Sequence, residues 1–426
     1  MNKSRLRGAT LVLFAATLPM AALATNGYFP HGYGMKALGM GGAAVASTES
    51  GFAGANNPAT AAFSGNRVEG GLGFFMPRRD MQRSGGMLDA SVASDSNTFY
   101  VPEFGYNRTA GDRWGWGLSV YGHGGMNTDY PGGQINCGAG PANVLCGQGR
   151  LGVDLMQLVI APTLAYKVAE NHSIGIAPLF VIQRFKASGL QAFDNAPGMP
   201  PMTASPGSVT NNGHDTSSGV GVRLGYFGRL SDRVDVGLSY APRVRMSRFV
   251  RYQGLFADGG RFDIPENLTL GLSLHPTPAI TVALDYSRIR YSRIASVGNP
   301  SSAMAPLGAP NGPGFGWSDV NVWKLGVQWQ ATPQWQLRAG VNVGGNPVRS
   351  SDISFNILAP GVTQVHYTLG ATYALSSHAE LTFAAMFAPR RSVTGASMFN
   401  GLGMPAGNET VGMSQRLFGV QFGWKF

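Results

Sequence analysis

Seven histidines are spread along the 426-residue chain, and none belongs to an H-E-x-x-H pair. Such a pair would put two imidazoles on one helix face for a zinc ion. No G-x-S-x-G elbow is present to raise a nucleophilic serine. Gly39-x-Gly41-x-x-Ala44 has the spacing of a dinucleotide fingerprint. That motif works only after a strand, inside a βαβ unit, with a later acid for the ribose, and none of this surrounds it. Cys137 and Cys146 lie in a Gly/Pro/Asn-rich stretch with no His or acid at finger spacing. In an oxidising compartment they read as a disulfide staple across a short loop. The chain is therefore not expected to be an enzyme, and no metal or cofactor is expected. The remaining candidates are cations on strands: Arg223, Lys324 and Arg338. A carboxylate headgroup in a partly dry lumen would need such a partner. The competing reading pairs them with the acids Asp235, Asp285 and Glu380.

Those cations need elements that face them inward. Alternation of period two recurs in segments separated by turn residues. Phe418, Val420, Phe422, Trp424 and Phe426 point one way, and Leu417, Gly419, Gln421, Gly423 and Lys425 the other. Trp335 to Gly344 and Trp323 to Gln330 alternate in the same manner. The expected strands are 67–76, 97–108, 114–121, 153–168, 173–187, 216–229, 234–251, 261–274, 280–296, 319–330, 335–345, 362–374, 379–392 and 412–426. That is an even set, and its connections alternate short and long. Both are properties of outer-membrane barrels, which keep short turns in the periplasm and long loops outside. One strand breaks phase: Arg288 and Arg290 follow Ile280, Val282, Leu284 and Tyr286 on one parity. A bulge or a strand rising above the bilayer would each account for it.

Composition agrees. Only 13% of residues are charged, and 61 are glycine, about half and about twice the ordinary shares. That excludes a disordered chain, and after residue 24 no apolar run is long enough for a spanning helix. The net charge of +10 is scattered without a basic run, so nucleic acid is not an expected partner.

The chain opens Met1-Asn2-Lys3-Ser4-Arg5-Leu6-Arg7, continues with an apolar stretch and reaches Ala22-Leu23-Ala24. This is a secretory signal peptide over 1–24, cleaved after Ala24. Residues 25–66 do not alternate. They are small and fairly apolar, as suits a plug folded into the lumen. The barrel then occupies 67–426, and a strand-terminal Phe426 fits the signal read by the outer-membrane assembly machinery.

Three stretches carry a resemblance. They are Ala37-Leu38-Gly39-Met40-Gly41-Gly42-Ala43 with the later Asn57-Pro58-Ala59, Gly117 to Tyr130, and Ile264 to Leu272. Together with the strand count and the terminal aromatic, they resemble the long-chain fatty acid and hydrocarbon outer-membrane transporter family (FadL-type, OMPP1/FadL/TodX). The resemblance covers essentially the whole mature chain. It implies an all-β, 14-stranded antiparallel transmembrane β-barrel with an N-terminal hatch that includes Gly39, Gly41, Gly42, Asn57, Pro58 and Ala59. It implies passive uptake of hydrophobic compounds by a monomer in the bacterial outer membrane. It also implies a lateral exit at a third-strand kink, here Gly122-His123-Gly124-Gly125. Glycines tolerate bulge dihedrals and weaken ladder pairing, which suits a kink; a plain loop start would use them equally well.

Loop residues Met199, Pro200, Pro201, Met202, Met304, Pro306, Leu307 and Phe315-Gly316-Trp317 could form an outer capture groove, or pack on one another. A general diffusion porin and a non-transporting surface barrel remain alternatives. A fatty acid and a monoaromatic suit the residues equally.

Overall fold

The computed structural model describes residues 26–138, 140–195 and 201–426. The expected signal peptide, and Met199 and Pro200 of the loop groove, lie outside the described residues. Fourteen long strands form one closed antiparallel ring. They are β1 (Arg67–Ser84), β2 (Phe99–Ala110), β3 (Trp114–Tyr130), β4 (Leu151–Ala169), β5 (His172–Ser188), β6 (Asp215–Ser231) and β7 (Val234–Ala241). The ring continues with β8 (Asn267–Thr277), β9 (Ile280–Ile289), β10 (Val320–Gln330), β11 (Trp335–Gly344), β12 (Val365–Ala374), β13 (Ala379–Ala396) and β14 (Asn408–Lys425). β14 closes on β1 from Arg67↔Lys425 to Ser84↔Asn408. Closure leaves the sheet without long free edges.

Alternation assigns the two faces. On β14, Phe418, Phe422 and Trp424 are exposed outside the ring, while Leu417 and Gln421 are buried inside it. Trp114, Trp116, Trp329, Trp335 and Trp424 are exposed within a few residues of the short turns or the C-terminus. They mark one membrane interface, where amphipathic rings collect.

Several strands end elsewhere than alternation suggests. β1 runs on to Ser84 and β3 to Tyr130, because above the bilayer the outward row turns polar while the ladder continues. β7 stops at Ala241 and β8 starts at Asn267, since 242–266 folds into a loop held by the Val244↔Ile264 bridge. β9 ends at Ile289, and its register with β10 is unbroken from Ile280↔Trp329 to Ile289↔Val320. There is accordingly no bulge there. Arg288 pairs with Asp319 at 3.6 Å, and Arg290 with Asp319 at 3.6 Å and Glu266 at 3.9 Å, at the long-loop end of the strand.

Residues 26–66 fill the ring. They form helix α1 (Met35–Gly39), helix α2 (Ala53–Asn56) and a 3-10 turn over Pro58–Ala62. The wall facing α1 and the chain after it is made of glycine: Gly271 on β8, Gly326 on β10 and Gly370 on β12. A Cβ on Gly326 would stand 2.5 Å from the Met40 carbonyl oxygen, and one on Gly370 3.0 Å from Gly39 Cα. Backbone packs on backbone, which only glycine permits. Gly42 meets a second requirement, with φ at +86° and its α-carbon against the His31 carbonyl. Asn57 fastens the last turn. Its Nδ2 donates to Val45 O at 2.8 Å and Tyr226 O at 2.9 Å, and its Oδ1 accepts from Ala59 N at 3.1 Å.

Candidate functional site

At the long-loop end, five loops enclose a cleft of about 510 Å³. Phe185, Phe193, Phe256, Leu307, Phe315 and Leu358 line it, and no charged side chain does. Of the loop residues expected to form a groove, Leu307 and Phe315 face this cleft. Trp317 is buried beneath, its Nε1 donating to Asn356 Oδ1 at 2.6 Å. Met304 is 99% exposed and takes no part. Near the same end the structure joins Cys137 to Cys146, across a hairpin of Ile135–Asn136 and Pro141–Ala142.

A series of aromatic rings leads inward from the cleft. Phe256 lies 5.0 Å from Phe262, Phe262 5.8 Å from Tyr28, Tyr28 5.5 Å from Phe29, and Phe29 4.5 Å from His123. Tyr28 and Phe29 belong to the hatch. His123 belongs to the wall.

The wall is discontinuous where that series ends. β3 pairs with β2 only as far as Tyr121↔Glu103. β2 carries Pro102 just beyond, which has no N–H to offer a ladder. From Gly122 onward β3 pairs with β4 alone, and the register shifts between Gly122 and Gly124. His123 is the extra residue. Its side chain is buried, and Nδ1 sits 2.6 Å from Tyr33 Oη. Higher up, the segment that leads into β2 is tied to β3. Asp95 N donates to Asp129 O at 2.9 Å, and Arg150 pairs with Asp95 and, at 2.7 Å, with Asp129. Its hydrogen bonds to the Asp129 and Asp95 carboxylates raise the Arg150 pKa, an effect that water screens at so exposed a site. The result is a window between β2 and β3, framed by Glu103–Tyr121 below and Asp95–Asp129 above. Side chains close it: a Cβ on Gly122 would lie 3.3 Å from Val101 Cγ1, and one on Gly124 3.0 Å from Tyr28 Cδ2.

Between the hatch and strands β6 to β10 lies an inner cavity, lined by Phe29, His31, Tyr33, Arg223, Ser287 and Lys324 among others. All three cations named from alternation face the lumen. Arg223 Nη1 donates to Gly54 O at 3.0 Å and Tyr121 Oη at 3.2 Å, and also to Ala55 O. Lys324 Nζ donates to His31 O at 2.7 Å. Arg338 stands apart from these two. It donates to Gln328 Oε1 at 2.8 Å and Thr372 Oγ1 at 2.7 Å, and borders a different cavity beside Lys36 and Glu49. For Arg223 and Lys324 the expected pairing with lumen acids is replaced by bonds to the hatch, while Arg338 bonds neighbouring strands and stands 3.9 Å from the hatch acid Glu49. Asp285 Oδ2 accepts from Ala44 N at 2.9 Å and Val45 N at 3.1 Å. Glu380 binds Lys36, and Lys425 at 3.0 Å. Asp235 pairs with His275 at 3.1 Å.

The sequence reading missed the hatch aromatics Tyr28, Phe29 and Tyr33 and their partner Tyr291, and it placed Trp317 in the loop groove rather than against Tyr28. The run Tyr28-Phe29-Pro30 at the head of an otherwise small-residue segment was the available signal. It also missed Lys36, the one lysine of the hatch, which reaches Glu69 at 3.1 Å as well as Glu380.

Known structures share this architecture. The P. putida toluene transporter TodX superposes with a TM-score of 0.67 at 18% identity, over 93% of this chain and 99% of that one. A Pseudomonas aeruginosa FadL homologue gives 0.68 at 15% identity, over 94% and 100%. The Ralstonia pickettii toluene transporter TbuX gives 0.64 at 17% identity, over 93% and 99%. No curated protein matches the sequence. The model of the family described as outer membrane protein transport protein (OMPP1/FadL/TodX) matches residues 12–426, and the chain belongs to that family.

Proposed function

We propose that this barrel admits hydrophobic solutes from outside the cell, through its outer cleft and past the hatch aromatics, and releases them sideways through the β2–β3 window. The observation that carries the reading is the unbroken series of rings from an uncharged cleft to a gap in wall pairing. Each part has a physical task. The cleft removes an apolar solute from water, worth about 25 cal/mol per Å² of buried apolar surface. The hatch stops water and ions. The window opens toward lipid, so the solute need not cross a polar layer.

In this reading the solute moves down its own gradient, from water through the cleft to lipid. The similar structures include toluene transporters, and an aromatic-lined cleft suits monoaromatic hydrocarbons. A second reading, an amphipathic carboxylate, rests on Arg223 and Lys324 lining one chamber.

Expression in an outer membrane that lacks its own hydrocarbon channel should speed toluene uptake without raising ion conductance in planar bilayers. High conductance with unchanged toluene uptake would mean a diffusion porin instead. Replacing Arg223 and Lys324 by Gln should slow laurate uptake and spare toluene. Equal laurate uptake in the variant would remove the carboxylate reading alone.

A further inference from the structure

Cations that look scattered in sequence converge on one outer face of the barrel. On β5 the outward row is apolar through Ile174, Ile176, Phe180 and Ile182, exposed by 43 to 51%. The same row then changes to Arg184 and Lys186, both exposed. β6 lies beside it, with Phe180↔Val220 and Arg184↔Thr216. The segment after β7 lies beside β6 in turn, through the bridge Gly219↔Met246. It presents exposed Arg245, Arg248 and Arg251. Five cations thus border the upper edge of a lipid-facing band.

Little protein charge answers them. Asp154, which lies opposite Lys186 in the ladder, is engaged by Asn127 and His214, Arg184 Nη2 meets the His214 ring at 3.1 Å, and Asp215 is engaged by the amides of Thr216 and Arg251. Among the described residues no salt bridge reaches Arg184, Lys186, Arg245, Arg248 or Arg251. The rim at β9 is a contrast within the same molecule. There Arg288, Arg290 and Arg293 are all matched by Asp319 or Glu266. An unmatched cation row directly above an apolar row has the layout of a lipid headgroup site. Long loops put this end outside the cell.

We propose that the β5–β6 face with the 245–251 segment binds the phosphorylated sugar headgroup of an outer-leaflet glycolipid. The acyl chains would lie along Ile174 to Ile182 and Val220, and the phosphates between Arg184, Lys186, Arg245 and Arg248. Arginine suits this, because its planar fork matches phosphate oxygens in pairs. The inference needs the outer-membrane location only, and is independent of the transport reading.

The test is native mass spectrometry of the full chain in non-ionic detergent, titrated with bisphosphorylated lipid A. The variant Arg184→Gln/Lys186→Gln/Arg245→Gln/Arg248→Gln should bind at least about tenfold more weakly, as expected when several exposed charge contacts are lost together. A control variant, Arg288→Gln/Arg290→Gln, should bind as the parent does. Heat-modifiable gel migration establishes that each barrel is folded. Unchanged affinity in the fourfold variant would overturn the proposal. So would equal affinity for dephosphorylated lipid A, which would assign binding to the apolar band.

Discussion

Lys36 is the residue on which the hatch's attachment turns. Its ammonium is shared by Glu69 on β1 and Glu380 on β13, with side chains exposed by no more than 10%. Removing one member of a buried charge cluster leaves the others desolvated and unmatched. Arg67 at 3.6 Å from Glu69 and Lys425 at 3.0 Å from Glu380 soften the loss. Lys36→Met should therefore loosen the hatch by on the order of 1–3 kcal/mol without unfolding the ring. Amide exchange over 35–40 would report it, accelerating about tenfold or more. Unchanged exchange would show that Asn57 and the glycine contacts hold the hatch unaided. Alternation was enough to say which face Arg223, Lys324 and Arg338 take. It could not say what they touch: Arg223 and Lys324 meet backbone carbonyls at Gly54, Ala55 and His31, in a segment with no periodicity of its own, and Arg338 meets Gln328 and Thr372 on neighbouring strands.

At the scale of elements, the glycine-lined wall and the hatch are one fitted pair. Each wall glycine removes a side chain where the hatch backbone comes closest. Gly326→Val would drive two methyl groups into Met40. The hatch should shift, and planar bilayers containing the variant should show raised ion conductance over a closed parent. A parent-like closed barrel would mean the hatch tolerates displacement without opening a water path. Elements of this kind were half legible. The strands showed through their period, since one face meets lipid and the other does not. Their upper ends did not. β3 beyond Tyr121 has glycines and polar residues on both faces, so Gly122 to Gly125 looked equally like the start of a loop. What settles their setting is pairing, since β4 follows β3 to Leu151↔Tyr130 while β2 stops at Glu103. Long-range pairing of that sort leaves no trace in local composition.

For the whole molecule, low charge and high glycine have separate origins. The outer face needs few charges because it meets lipid. The inner face needs glycine because it meets a folded plug rather than water. Between them the fold leaves one wall segment where two strands lie side by side without a ladder, and the hatch aromatics stand against it. The central claim is that solute leaves there. Val101 and Gly122 sit on opposite sides of the window, where a Cβ added at Gly122 would lie 3.3 Å from Val101 Cγ1. Cysteines at both positions would lock it when oxidised and free it when reduced. The direct measurement is toluene uptake by cells carrying Val101→Cys/Gly122→Cys, oxidised and then reduced. The parent, with its own Cys137–Cys146 bond, serves as the control for the reductant. The account predicts uptake near the channel-free background when locked and recovery on reduction. Full uptake through the locked barrel would contradict it, and would place the exit through the lumen instead.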